Sequence, residues 1–408
     1  MKQKVVIISV TYATRLTLAR AIHRAGYEVI LIYFSQYAPD EFDPNPPFDT
    51  FSNCVDSCYH SRKKEDDLIP LLLEKCAGPH GKVVIIPACD YSISLIDANQ
   101  DKLKNSFLFP NIHHQSGEMI SWMEKTRQKS LAKELHLNVA EANEIHVADG
   151  IFTIPDTIKY PCFPKPSMSY KGGKGGLVRC DTEEDLRTAI HNIVEKGGDN
   201  LSVLVEDYIN IDHEYALVGL SDGQHVMVPA ILQLLVVSKA YNGIALNGKV
   251  MPINGFEELI DQFNEYVRRT GFVGLFDIDF YESEGKFYFG EMNLRFGGSG
   301  HAVTSMGVNL PDIFVKLMIE GYSPSLFNVK PITESAVYLN DKLCLDDLTR
   351  KAISYYTICQ LVRKTSIRFM PDKDDPEPFR RYKKTMNRLV FRRILREMAG
   401  IVLPKYRK

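Results

Sequence analysis

The chain has 408 residues, 45% of them apolar and 25% charged, with a formal net charge of −2. Such a length suggests two to four domains, and such a composition excludes disorder as the main state. No apolar run approaches the roughly 18 residues that span a bilayer, and the global charge favours no particular partner.

Residues 4–10 read as a first buried strand, 14–25 as a helix stopped by Gly26, and 28–34 as a second strand. A Pro-rich loop follows, then a helix over 65–77 and a third strand over 83–87. The alternation predicts a parallel sheet covered on both faces, ending near residue 115. The turn after the first strand, Ser9 to Thr14, lacks GxGxxG, which argues against a dinucleotide site. Ligands of such sheets sit at the carboxyl ends of strands, which singles out Thr11–Arg15 and Asp90. Asp90 reads equally as the cap of a helix starting at Tyr91.

A helix is expected over 118–136, a strand over 162–165, a Gly-rich loop to residue 176 and a helix over 182–196. Strands at 202–206, 213–220 and 225–237 follow, then a helix over 256–270, a hairpin over 273–292 and a helix over 310–320. The eight cysteines form no CxxC and are read as small buried apolar groups, in keeping with an expected cytoplasmic location.

Four groups of residues suggest chemistry. Gly172, Gly173, Lys174, Gly175 and Gly176 can bring backbone N–H groups and a positive charge close to a polyphosphate, although Gly-rich hairpins are common and no Walker sequence is present. Lys165 ends an apolar strand just before that loop, where a phosphate oxygen is a natural partner and an edge lysine the bland alternative. Glu206-Asp207-Tyr208-Ile209 closes a strand in irregular backbone that can meet an adenine edge, and Glu214 can accept from ribose hydroxyls. Two surface glutamates would look the same in sequence. The strongest group is Asp279…Glu291-Met292-Asn293-Leu294-Arg295. The turn at Glu284-Gly285 brings Asp279 beside Glu291, and Glu291, Asn293 and Arg295 share one strand face. Oxygen ligands of this kind suit Mg²⁺ held together with phosphates, and the arginine can reach a transferring phosphoryl group.

These residues, in this order and with Glu124-Lys125 before a helix, resemble the ATP-grasp superfamily over roughly residues 1–325. The resemblance implies an α/β chain: an N-terminal parallel-sheet domain (1–115), a two-lobed α+β ATP-grasp domain (116–325, small lobe to about 206), and a C-terminal helical appendage (326–408). It implies that Lys125 and Lys165 contact ATP phosphates and that Gly172–Gly176 close over them. Glu206, Asp207 and Ile209 would hold adenine, and Glu214 the ribose. Asp279, Glu291 and Asn293 would hold two Mg²⁺ (or Mn²⁺), with Arg295 and Lys174 serving catalysis. Glu124 stands where the family has aspartate and is left out of the site.

Within the superfamily, GKFYFGEMNLR looks like the biotin carboxylase hairpin, but the Val-Glu-His that follows there is missing. Carbamoyl phosphate synthetase repeats its grasp in a much longer chain. Pro87–Asp90, Asn99–Leu103 and Arg-Phe-Gly-Gly-Ser-Gly look most like D-aspartate ligases and related cell-envelope ligases of the carboxylate–amine branch. The expected activity is amide formation through an acylphosphate. The alternatives are a soluble amino-acid or dipeptide ligase and a non-catalytic ATP-binding regulatory module. Small-molecule carboxylate and amine substrates are expected to enter between the first domain and the grasp, facing Asp90, Arg295, Ser299 and His301, and a homodimer is left open. Residues 380–408 hold eleven Lys or Arg and one acid. A helix over 377–398 is expected to pack on the grasp domain. The sharper alternative is contact with an anionic membrane at its inner face, while nucleic acid is not expected for want of any recognition module.

Overall fold

The computed structural model describes residues 2–78, 81–168, 177–239 and 244–402. Continuous apolar runs become the buried strands of the first sheet: β1 (Lys4–Ser9), β2 (Glu28–Phe34), β3 (Ser57–Ser61), β4 (Val83–Pro87) and β5 (Phe107–Leu108). They are parallel in the order β3-β2-β1-β4-β5, so the chain reverses direction across the sheet between β1 and β4. That switch point is where open α/β sheets leave a crevice. Ser9 and Ala88 join its two sides, the Ser9 hydroxyl donating to the Ala88 carbonyl at 2.9 Å.

A short strand, β6 (Asn111–Ile112), leaves this domain and pairs with the large sheet described below. The helix expected over 118–136 is two helices, Glu118–Trp122 and Lys125–Glu134. No glycine or proline breaks it. The Lys125 N–H is instead taken by the Ser167 carbonyl at 3.0 Å, and Glu124 bridges to Met168, so tertiary pairing overrides local propensity.

The small lobe is a three-stranded antiparallel sheet of β7 (Ala142–Val147), β8 (Cys162–Pro166) and β9 (Leu201–Asp207), in the order β7-β9-β8. The helix Glu183–Gly197 covers it, started by a capping box between Thr182 and Asp185. Cys162 and Cys180, both buried, exchange backbone hydrogen bonds of 2.9 Å at the base of the Gly-rich segment.

The large sheet contains β10 (His213–Asp222), β11 (Val226–Val237), β12 (Ala245–Met251), β13 (Phe272–Ser283), β14 (Lys286–Asn293), β15 (Ala336–Leu339) and β16 (Ile367–Arg368), in the order β14-β13-β10-β11-β12-β15-β16. The helix Glu257–Thr270 buries Ile260, Phe263, Tyr266 and Val267, at i, i+3, i+6 and i+7, within a core that includes Phe280 and Phe289.

Residues 326–402 are therefore more than the expected appendage, since β15 and β16 extend the large sheet. The same segment grips the first domain. Arg20, 2% exposed, donates to the carbonyls of Phe369 and Met370 and to the Asp375 carboxylate at 2.8 Å. The first turns of the basic helix, Glu377–Val402, place Phe379, Tyr382 and Met386 against Leu16 of the first domain and Met370, rather than on the domain where packing was expected. Further along, Phe391 and Leu395 are 62% and 49% exposed, so this stretch does not bury them. Among the described residues no helix is long and apolar enough to cross a membrane.

Candidate active site

β13 and β14 set the centre of the site. Their register pairs Asp279 with Glu291 and Asp277 with Asn293, and a bulge falls just after Asp279. Gly290 occupies the bulge, where a Cβ would meet the Asp279 carbonyl oxygen at 2.7 Å. Because side chains alternate, Asp277, Asp279, Glu291 and Asn293 share one face. Asn293 donates to Asp279 at 3.3 Å.

Lysines approach from two sides. Lys125, at the start of its helix, pairs with Glu291 at 2.8 Å. Lys165 on β8 pairs with Glu206 on β9 at 2.7 Å. Burial pushes the Glu291 carboxyl up, but the attraction of Lys125 and Lys165 outweighs it and holds the group at about 2. Burial likewise opposes ionisation of Lys165 and Glu206, and their mutual attraction keeps both charged.

Arg295 joins the domains. Its Nε donates to Asp90 at 2.7 Å, one Nη donates to Asn293 at 3.1 Å, and the other lies 3.7 Å from Asp277. Asp90 is not a cap. Cys89 holds the N-cap position, and Asp90 in the first helical turn reaches out to the arginine. Asp277 is a site residue that the sequence reading passed over. Burial, only partly offset by Arg295, pushes its carboxyl up to about 6, and its Oδ1 is buried without a hydrogen-bond partner. No side chain fits at Gly297, because a Cβ there would overlap the Asp277 carboxylate.

The remaining expected residues divide. Glu206 is brought into the lysine cluster. Asp207 and Ile209 lie at and just beyond the end of β9, and Glu214 is the second residue of β10, level with Tyr281. Ser299 accepts from the Tyr338 hydroxyl at 3.4 Å, so the C-terminal segment lines the region beyond Arg295. His301 departs from the expectation that it faces substrate. Its ring, partly exposed, packs edge-on against Phe369 and lies 3.4 Å from the Ser305 hydroxyl, and burial, reinforced by Arg20, lowers its pKa to about 4. Gly172, Gly173, Lys174, Gly175 and Gly176 lie outside the described residues.

Among the described residues no three His, Cys, Asp or Glu side chains converge as a metal centre. The donors on the β13–β14 face are two carboxylates and an amide, with a third carboxylate oxygen, on Asp277, left unpartnered. That set fits a magnesium ion that takes its other ligands from phosphates and water. Two cavities, of about 320 and 460 Å³, lie off this cluster: the first is lined by Glu124, His146 and Ser167, the second by Lys133, Glu141 and Tyr288.

Residues 130–311 match the family model of the ATP-grasp domain. Among curated proteins, the carbamoyl phosphate synthase large chain of Clostridium perfringens is 28% identical over 166 residues, which is 39% of this chain and 15% of that one. The chain thus spans only a small part of such relatives. Among solved structures, an L-amino acid ligase from Bacillus licheniformis superposes with a TM-score of 0.61 at 16% identity, covering 83% of this chain and 79% of that one. N5-carboxyaminoimidazole synthetase from Staphylococcus aureus, complexed with ADP, gives 0.60 at 18% identity, covering 83% and 82%. At these identities the likeness is one of fold.

Proposed function

With an ATP-grasp catalytic domain at residues 130–311 as the starting point, we propose that the chain joins a carboxylate to an amine at the expense of ATP, releasing ADP and phosphate. The observation that carries this reading is Arg295, which touches the acid-and-amide face of β13–β14 and the Asp90 switch point of the N-terminal sheet at once. A phosphoryl-transfer site and a crevice for a second substrate are thereby adjacent.

A carboxylate is a poor electrophile, so its oxygen first attacks the γ-phosphorus of ATP, giving an acylphosphate and ADP. The amine nitrogen then attacks the carbonyl carbon, and phosphate leaves with the former carboxylate oxygen. Lys125 and Lys165 hold phosphate oxygens, and Arg295 offers a planar fork to the carboxylate or the acylphosphate. Because Arg295 is bound to Asp90, an arriving amino group can take Asp90 while the carboxylate takes the arginine. Adenine would lie against the end of β9. The N–H groups of Asp207 and Tyr208 donate to Glu141 and Pro161, so the base would use the Asp207 carbonyl and the Ile209 N–H. Asp279, Glu291 and Asn293 would hold Mg²⁺, two ions in the full assignment with Mn²⁺ as a substitute, which when bound supplies charge neutralisation at the phosphates.

Lys165→Ala should weaken ATP binding about 10- to 100-fold, the value of one charge-assisted contact of roughly 1.5–3 kcal/mol. Calorimetry with Mg·ATP checks this, and unchanged affinity would return Lys165 to a purely structural role. The reaction class is tested by release of ADP and phosphate across a panel of amino-acid pairs. Release that needs both a carboxylate and an amine supports ligation, whereas nucleotide binding without turnover on any pair favours a regulatory module.

The finer setting proposed is the cell envelope, with an amino acid joined to an envelope precursor. Its support is the family resemblance together with the basic C-terminal helix, on which Phe391 and Leu395 stand exposed. Each basic residue near an anionic surface contributes about 1 kcal/mol, and buried apolar side chains add to it. Co-sedimentation with anionic vesicles should fall several-fold when Phe391 and Leu395 are both changed to Glu. Equal partitioning of the two proteins would remove the membrane from the account.

A further inference from the structure

The helix Lys125–Glu134 carries a buried lysine that the chemistry above does not use. Lys125, Lys129 and Lys133 repeat every four residues and so lie along one face. Each finds an acid on a different element: Glu291, Glu206 and Glu141. The outermost pair is exposed. The middle one is not, since the side chains of Lys129 and Glu206 are 7% and 6% exposed.

Lys129 lies 2.7 Å from the same Glu206 oxygen that Lys165 approaches at 2.7 Å. It also donates to the Ala140 carbonyl at 3.1 Å, a bond that anchors its ammonium independently of Lys165. Among the described residues Lys165 makes no comparable bond to a backbone carbonyl, and its side chain is more open, at 16% exposure. One buried carboxylate therefore holds two ammonium groups. A single lysine would satisfy its charge, so the second is unneeded for stability of the closed pair. The duplication becomes useful when one lysine has other work. A buried carboxylate left alone is strongly disfavoured, so a lysine that is its only partner cannot leave to meet a ligand.

We propose that Lys129 is a positioning residue for nucleotide binding: it keeps the Glu206 carboxylate paired while Lys165 turns from it to the phosphate oxygens of ATP. The proposal rests on the nucleotide reading of the site and adds to it a residue that touches no substrate. Lys129 acts through Glu206, and Glu206 in turn sets how freely Lys165 moves.

Mg·ATP affinity of the full chain, measured by calorimetry, tests it. Lys129→Met should raise Kd about tenfold, because Lys165 is then held by an otherwise stranded acid. Lys129→Arg, which keeps the charge, should stay within about threefold of the unaltered chain. In a Glu206→Gln background there is no acid to neutralise, so adding Lys129→Met should change Kd by less than about twofold. If Lys129→Met fails to fold, Lys129→Gln, which removes the charge but keeps a donor for the Ala140 carbonyl, replaces it in both backgrounds with the same tenfold expectation. Unchanged affinity in folded Lys129→Met, or a tenfold loss that persists in the Glu206→Gln background, would overturn the proposal. Absence of Mg·ATP binding by the unaltered chain would instead overturn the nucleotide reading, and the proposal with it.

Discussion

Glu291→Gln is expected to lower turnover by about 10²–10⁴ while leaving Mg·ATP affinity within a few-fold. The amide keeps the shape of the side chain and its place opposite Asp279, but it removes the negative charge that Lys125 faces at 2.8 Å. Attraction to Lys125 and Lys165 holds the Glu291 carboxyl at about 2 against its burial, so this residue is charged across the whole working range of pH. A permanently ionised oxygen donor is what a divalent cation shared with phosphates needs. Phosphate release under saturating Mg·ATP checks the expectation, with calorimetry for affinity. Near-normal Mg²⁺-dependent turnover would sink the metal assignment.

Arg295→Ala should be nearly as severe, for a different reason. The guanidinium engages Asp90 and Asn293 and stands beside Asp277, so its loss removes one link between the two domains and leaves two carboxylates without their cation. A loss of about 10²–10³ in kcat/KM follows from removing a fixed donor aimed at developing charge. Arg295→Lys should recover little of it, because an ammonium cannot span Asp90 and Asn293 together. Thermal unfolding should also fall, by roughly 2 kcal/mol once partial solvent access is allowed for. A variant with normal kinetics and lowered stability would make Arg295 a domain clamp alone.

Much of this site was legible because its residues sit on strands, where alternation alone fixes the face. Glu291, Asn293 and Arg295 are two residues apart and so share a face, but the two-residue turn alone would set Asp279 opposite Gly290, and it is the bulge at Gly290 that brings Glu291 opposite Asp279. The buried parallel strands were equally plain, as continuous apolar runs such as VVIIS and EVILIYF. What stayed hidden depends on tertiary partners. Lys129 sits in the polar helix KTRQKSLAKE, where a lysine reads as solvated, and only the approach of β9 with Glu206 makes it buried. The break before Lys125 has no local cause and comes from Ser167 across the fold. Asp277 looked like a neighbour of Asp279, but the pairing of Asp277 with Asn293 puts it at Arg295. β15 and β16 are too short to signal a strand, and they exist because β12 offers an edge. His301 was drawn toward substrate by sequence proximity to Arg295, while the helix Gly300–Ser305 turns it against Phe369.

The central claim is that a carboxylate is activated by phosphoryl transfer, and transfer of its oxygen tests that most directly. With an ¹⁸O-labelled carboxylate substrate found in the panel, and its amine partner, the account predicts one ¹⁸O atom in each phosphate released, because the carboxylate oxygen leaves with phosphorus. Phosphate that is free of label while the amide accumulates would contradict it.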